Sequence, residues 1–178
     1  MTHIYFVRHG LSQLNVAGKI AGFTDTPLVK EGKEQAKQAG ISVKKLKIDH
    51  IISSPLSRTL ETAKIIAKEI NYPINKIEVN PLFIERHFGS LEGKPYKPDT
   101  NYDGIADAEP SHVLLSRSKL AVDYLENLPY KNILVVSHGS FGRALRHHLV
   151  PSQPFHAWAK INNAEIVKWV INQKNSKG

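Results

Sequence analysis

Arg8-His9-Gly10, Arg58, Glu85 and Ser137-His138-Gly139 are the stretches of this chain whose residue types can do chemistry together. A neutral imidazole attacks phosphorus near neutral pH without first losing a proton, provided its second nitrogen donates to a fixed acceptor and so sets the tautomer. Planar guanidinium forks suit phosphate oxygens, and a glycine lets backbone come close to a ligand. Phosphoryl transfer spreads charge over three equatorial oxygens, so its catalyst works mainly by positioning and electrostatic stabilisation. Two arginines and a second, protonated histidine supply that without a metal. What remains is a proton for the leaving oxygen, and Glu85, within PLFIERHFG, is the candidate acid.

A single histidine after a strand is most often structural. Here the context occurs twice: YFVRHG (5–10) and LVVSHG (134–139) both run an apolar strand into His-Gly. The elements that must bring these residues together follow from periodicity. HIYFV (3–7), DHIISS (49–54), a short segment at 77–79, NILVVS (132–137) and AEIVKWVI (164–171) read as strands, the last alternating like an edge strand. EGKEQAKQAGISVKKL (31–46) has a helical apolar face. A second helix is expected from Ser54 as N-cap with Pro55 at its first position, its face formed by Leu56, Leu60, Ala63, Ala67 and Ile70. Two more run from Ser111, through Leu114, Ala121, Leu125 and Leu128, and from Gly139 to about Leu149. Residues 94–110, rich in Gly, Pro and Asp, predict a loop over the site, and 172–178 a frayed tail. Strands alternating with helices predict a three-layer α/β/α sandwich with a mostly parallel central sheet, its ligands beyond the carboxyl ends of the strands.

The 178 residues, 41% hydrophobic and 22% charged, suit one globular domain spanning 1–178. No stretch is long and apolar enough to span a bilayer, and Ile4–Val7 is too short for a signal-peptide core, so a cytoplasmic protein with no membrane partner is expected. The absence of cysteine excludes disulfides, thiolate metal sites and a cysteine nucleophile. The net charge of +8 concentrates anions of any kind. Its lysines are scattered, without a like-charge block or basic-aromatic stripe, which argues against nucleic acid. No histidine cluster suggests a metal, because His147 and His148 are adjacent on a helix and cannot face one ion. The oligomeric state is left open.

VRHGLSQLN, AGFTDTPLVKEGKEQA, ISSPLSRTLETA, ERHFGSLEG and VVSHGSFGRAL, in this order, resemble the motifs of the histidine phosphatase superfamily, the phosphoglycerate mutase-like family. The resemblance implies a phosphoglycerate mutase-like fold and a phosphohistidine intermediate at His9. It implies Arg8 and Arg58 as phosphate clamps, His138 as the second histidine of the pocket, and Glu85 as acid and then base. Asn15, Gly22 and the Gly139 amide are implied to bind substrate. After RHG the family often has an acidic residue; Leu11 stands there instead, while Ser12 keeps the neighbouring hydroxyl, which is expected to matter. Around the mouth, Arg86, His87, Lys94, Tyr96 and Lys97 either favour substrates with a second anionic group or form a solvated basic loop. The family's mutases are longer and carry adjacent arginines after the acid loop, where this chain has only Arg117 and Lys119. ERHFG is nevertheless close to the mutase form. The expected activity is therefore cofactor- and metal-independent hydrolysis of small phosphorylated metabolites, with mutase-type phosphotransfer or non-catalytic phosphoanion binding as alternatives.

Overall fold

Parallel strands buried on both faces are apolar along their buried stretch, and residues 4–7 and 133–136 of two inner strands meet that condition. In the computed structural model, which describes residues 1–98, 100–153, 155 and 160–172, β1 (Thr2–Arg8) pairs in parallel with β4 (Asn132–Ser137). Beyond β4 lie β2 (His50–Ser53) and β3 (Glu78–Val79), both parallel, giving the order β3-β2-β4-β1-β5. β5 (Ile166–Ile171) closes the other edge antiparallel to β1, burying Trp169 and Ile171 while Lys168 and Val170 face solvent. That alternation is the one expected of an edge strand.

The strand pleat splits the core in two. Ile4, Phe6, Ile133 and Val135 point to one face, where α4 (Ser111–Glu126) and α5 (Gly139–Leu149) cover them with Leu114, Leu125, Phe141 and Leu145. Tyr5, Val7, Leu134 and Val136 point to the other, against Ala39 and Val43 of α2 (Lys30–Val43) and Ala63 and Ile66 of α3 (Ser57–Glu69). The result is an α/β/α sandwich. A four-residue helix, α1 (Gln13–Val16), follows β1. Among the described residues no helix is long and apolar enough to cross a membrane. Residues 173–178 of the expected tail lie outside the described residues.

α3 departs from expectation at both its start and its face. Ser54 does not cap it. The helix begins at Ser57, whose N–H and hydroxyl both donate to Asp25 Oδ1, at 2.9 and 2.6 Å. Its buried face carries Arg58, Thr59 and Thr62 beside Ala63, Ile66 and Ala67, and Leu56 and Leu60 are only half-buried. Polar residues can occupy that face because they are hydrogen-bonded: Thr62 Oγ1 donates to the Arg58 carbonyl (2.7 Å) and accepts from Gly10 N–H (3.0 Å). An apolar-only pattern rotates the predicted face away from them.

Candidate active site

The carboxyl ends of β1, β4 and β2 end side by side, and the chain leaves each with a polar residue. A cleft of about 390 Å³ opens there, lined by Arg8, His9, Arg58, Glu85 and Gly139 among others. That volume is at the small end of metabolite pockets.

His9 follows β1 directly, its N–H still paired to the Ser137 carbonyl at 3.0 Å. The ring is nearly fully buried, and Nδ1 lies 2.7 Å from the Gly10 carbonyl oxygen. A carbonyl only accepts, so Nδ1 carries the proton and Nε2 carries the lone pair. Burial, then the charges of Arg58 and Arg8, hold His9 well below the usual imidazole pKa, which favours the neutral ring. Gly10 is a glycine for a reason other than the one expected. A Cβ there would sit 2.2 Å from the Gly32 carbonyl oxygen on α2, so the close approach is between two backbones rather than to a ligand.

His138, wholly buried, lies with its ring centroid 5.3 Å from that of His9, and its Nε2 pairs with Ser54 Oγ at 2.7 Å. Burial first, then Arg58, His9 and Arg8, depress its pKa well below the usual value as well. That direction favours the neutral ring, against the expectation of a protonated second histidine. Arg8 is tied by Nη1 to the Ile161 carbonyl (2.8 Å), and Arg58 by Nη1 and Nη2 to the carbonyls of Thr24 (3.0 Å) and Gly22 (2.7 Å). Arg8 Nε, Arg58 Nε and His138 Nδ1 are buried with no hydrogen-bond partner among the described residues. Unsatisfied buried donors cost about 1–3 kcal/mol each, a cost that an anion's oxygens remove.

Glu85 is placed by two elements. Its Oε1 accepts from the N–H groups of Arg86 and Phe141, both at 2.9 Å, and its Oε2 from the Ser140 N–H at 3.2 Å. The carboxyl thus sits on the N-terminal turn of α5, whose orphan N–H donors fix its position. Arg117 holds the loop from behind, donating to the carbonyls of Ile84 (2.8 Å) and Glu85 (3.1 Å) and pairing with Glu109 at 2.9 Å. It is therefore a strut of the acid loop and is not directed at substrate.

Other expected residues scatter. Asn15 and Gly22 line the cleft. Gly22, at φ +55°, turns its carbonyl onto Arg58, and a Cβ there would strike Glu92. Ser12 does not line it: its buried hydroxyl caps α1 by accepting from Asn15 N–H (3.4 Å), so it positions Asn15. Arg86 turns inward to Asp103 (2.9 Å) and the Glu109 carbonyl (2.8 Å) beneath the Phe88 and Tyr102 rings. His87 packs on Phe23, and Lys94 and Lys97 are exposed; none of these lines the cleft. From the 94–110 loop, Tyr96 and Tyr102 do, and Tyr96 N–H is anchored to the Gly18 carbonyl at 2.8 Å.

Several contributors escape the sequence reading. Ser54 orients His138. Asn163 Nδ2 donates to the His9 carbonyl (3.0 Å) and to Asn15 Oδ1 (3.1 Å). Lys19, Arg143 and Lys160 also line the cleft. Only Arg143 carried a signal, since it follows Ser140 by three positions and shares its helix face. Among the described residues no group of three or more His, Asp or Glu side chains is placed to hold a metal ion.

The profile of the histidine phosphatase superfamily (branch 1) matches residues 4–177. The uncharacterized phosphatase PhoE of Bacillus subtilis is 33% identical over 98% of this chain and 95% of its own length. The probable phosphoglycerate mutase GpmB of Escherichia coli is 37% identical over 78% of this chain and 70% of its own. The structure of open reading frame Rv3214 from Mycobacterium tuberculosis superposes with a TM-score of 0.80 at 29% identity, covering 96% of this chain and 92% of that one. Matched along nearly its whole length, the chain belongs to branch 1 of the histidine phosphatase superfamily.

Proposed function

We propose that the protein hydrolyses phosphomonoesters of small metabolites through a phosphohistidine on His9. The observation that carries this reading is the His9 tautomer, with Nδ1–H spent on the Gly10 carbonyl, set among guanidinium donors that are buried and unpartnered. His9 Nε2 attacks phosphorus and the bond from phosphorus to the alcohol oxygen breaks. The Nε groups of Arg8 and Arg58 hold the transferring oxygens, and His138 takes up a proton as the dianion enters. Glu85 gives its proton to the leaving alcohol. Of its oxygens, Oε2 has the room for this, accepting one backbone N–H where Oε1 accepts two. After the alcohol departs, water gives a proton to the Glu85 carboxylate as its oxygen attacks phosphorus; the bond to Nε2 breaks and inorganic phosphate leaves.

Transfer back to a second hydroxyl of the same substrate is the other reading, supported by the relatives named as probable phosphoglycerate mutases. Rapid quench with a radiolabelled phosphomonoester in EDTA tests the proposal. Expected are an acid-labile, base-stable label on the wild type, phosphate release, and loss of both by a factor on the order of 10⁴ or more in His9→Ala. Turnover in EDTA without a labelled enzyme would refute it, and isomerisation of 3-phosphoglycerate exceeding hydrolysis would select the mutase.

A further inference from the structure

A phosphate dianion accounts for Arg8 and Arg58, yet the cleft holds more positive charge than that. Lys19, Arg143 and Lys160 also line it, and Glu85 is the only carboxylate among the described lining residues. Arg143 is the most constrained of the three. It lies on the first turns of α5, Nη2 donates to Ser140 Oγ at 3.2 Å, and Nε is buried without a hydrogen-bond partner among the described residues. The same Ser140 gives its N–H to Glu85 Oε2. Arg143 is therefore linked through Ser140 to Glu85, the acid of the reading above, and lines the same cleft. Lys160 lies 5.6 Å from the centre of the Tyr96 ring, another cleft residue.

We infer that Arg143, with Lys19 and Lys160, forms a second anion subsite, so that the preferred substrates carry a carboxylate or second phosphate on the alcohol fragment that leaves. This assigns to these three residues one of the two roles that the sequence offers for Arg86, His87, Lys94, Tyr96 and Lys97, of which only Tyr96 lines the cleft. It rests on the phosphomonoesterase reading above, since Glu85 must face the leaving oxygen for the adjacency to bear on the alcohol.

The test compares kcat/KM for 3-phosphoglycerate, glycerol 1,3-bisphosphate and uncharged-alcohol glycerol 3-phosphate in the wild type, Arg143→Met and Arg143→Lys. Losing a charge-assisted hydrogen bond reduces recognition roughly 10- to 100-fold. The wild type is expected to favour a doubly anionic substrate by a factor of that order. Arg143→Met should collapse that preference and Arg143→Lys should restore part of it; the carboxylate and bisphosphate arms show which anion the subsite takes. An equal fall for all three substrates in Arg143→Met puts Arg143 on the transferred phosphoryl group and overturns the inference. Absence of preference in the wild type overturns it too. Failure to hydrolyse any of the three, and p-nitrophenyl phosphate as well, overturns instead the phosphomonoesterase reading on which it rests.

Discussion

Two polar clusters occupy opposite ends of the same sheet, and they are built on opposite plans. At the amino ends of β2 and β3, Glu78 accepts from Tyr124 (2.6 Å) and Asn80 (2.8 Å) on one oxygen and from His50 (2.7 Å) on the other. The His50 ring stacks on Tyr130 at 4.4 Å. At the carboxyl ends, Arg8, Arg58 and His138 each keep a buried nitrogen without a hydrogen-bond partner. Both clusters combine histidine with charge. One is closed upon itself and the other is open toward an anion, and the difference in hydrogen-bond saturation separates a structural network from a candidate site.

Ionisation follows the same division. Burial works against the Glu78 carboxylate, but bonds from Tyr124, His50 and Asn80 outweigh it and hold its pKa below 4.5. Tyr124, in turn, is pushed up to about 12 by burial and by its bond to Glu78. In the site, burial and the arginines drive His9 and His138 down with no carboxylate partner to offset them.

The largest effect expected from this contrast is on turnover. Arg58→Met should lower kcat/KM for any phosphomonoester by about 10²–10³, the usual loss for a donor aimed at transition-state charge. A loss below about tenfold in steady-state kinetics would break the idea that the open donors serve the reaction.

Next comes stability against pH. Because the folded pKa values of His9 and His138 lie below the unfolded value near 6.5, the unfolded chain binds more protons below that pH. Stability is thus full above about 6.5 and falls as the pH drops toward the folded values. The Glu78 contribution has the same sign, because its folded pKa is depressed as well, but it acts in a lower pH window. It is present above about 4.5 and is lost only as the pH falls through the lowered folded value. Thermal unfolding between pH 6.5 and 4.5 in anion-free buffer should therefore show a declining midpoint, to which His148, lowered mainly by burial, adds outside the site. Sulfate, a dianion throughout this window, should shrink the decline by favouring charged imidazole. A midpoint indifferent to sulfate would remove the distinction between the two clusters.

The smallest effect is expected at the closed end. Glu78→Gln should lower the unfolding free energy by roughly 1 kcal/mol, since the pair is partly exposed, and leave kcat/KM within about twofold. A larger kinetic effect would show that the two ends of the sheet communicate.

How far the sequence reveals this depends on how local each signal is. NILVVS reads as a strand and is β4 residue for residue, because burial on both faces demands an unbroken apolar run. α5 begins at Gly139 and ends at Leu149 for a similarly local reason. Ser54 differs from its expected role because Ser-Pro is a strong local capping signal, whereas its hydroxyl pairs with His138, 84 residues away. Arg86 and Arg143 are alike as letters in polar contexts. One turns inward to Asp103 and the other into the cleft, a choice made by the packing of the acid loop and of α5.

The sequence by itself determined the alternation of strands and helices and the chemical types at the strand ends: Arg8, His9 and His138, with Arg58 and Glu85 following in loops and a helix start. These are consequences of periodicity and of what backbone can leave a buried strand. Only the tertiary structure decided which side chains share the cleft. It put the N-cap of α3 at Leu56 rather than Ser54, with Ser57 bonded to Asp25, made Ser12 a support for Asn15, and brought Arg143 and Asn163 to the pocket. Those outcomes depend on contacts between segments far apart in the chain, and the free energy that settles them, desolvation against hydrogen bonding, exists only once the layers have closed.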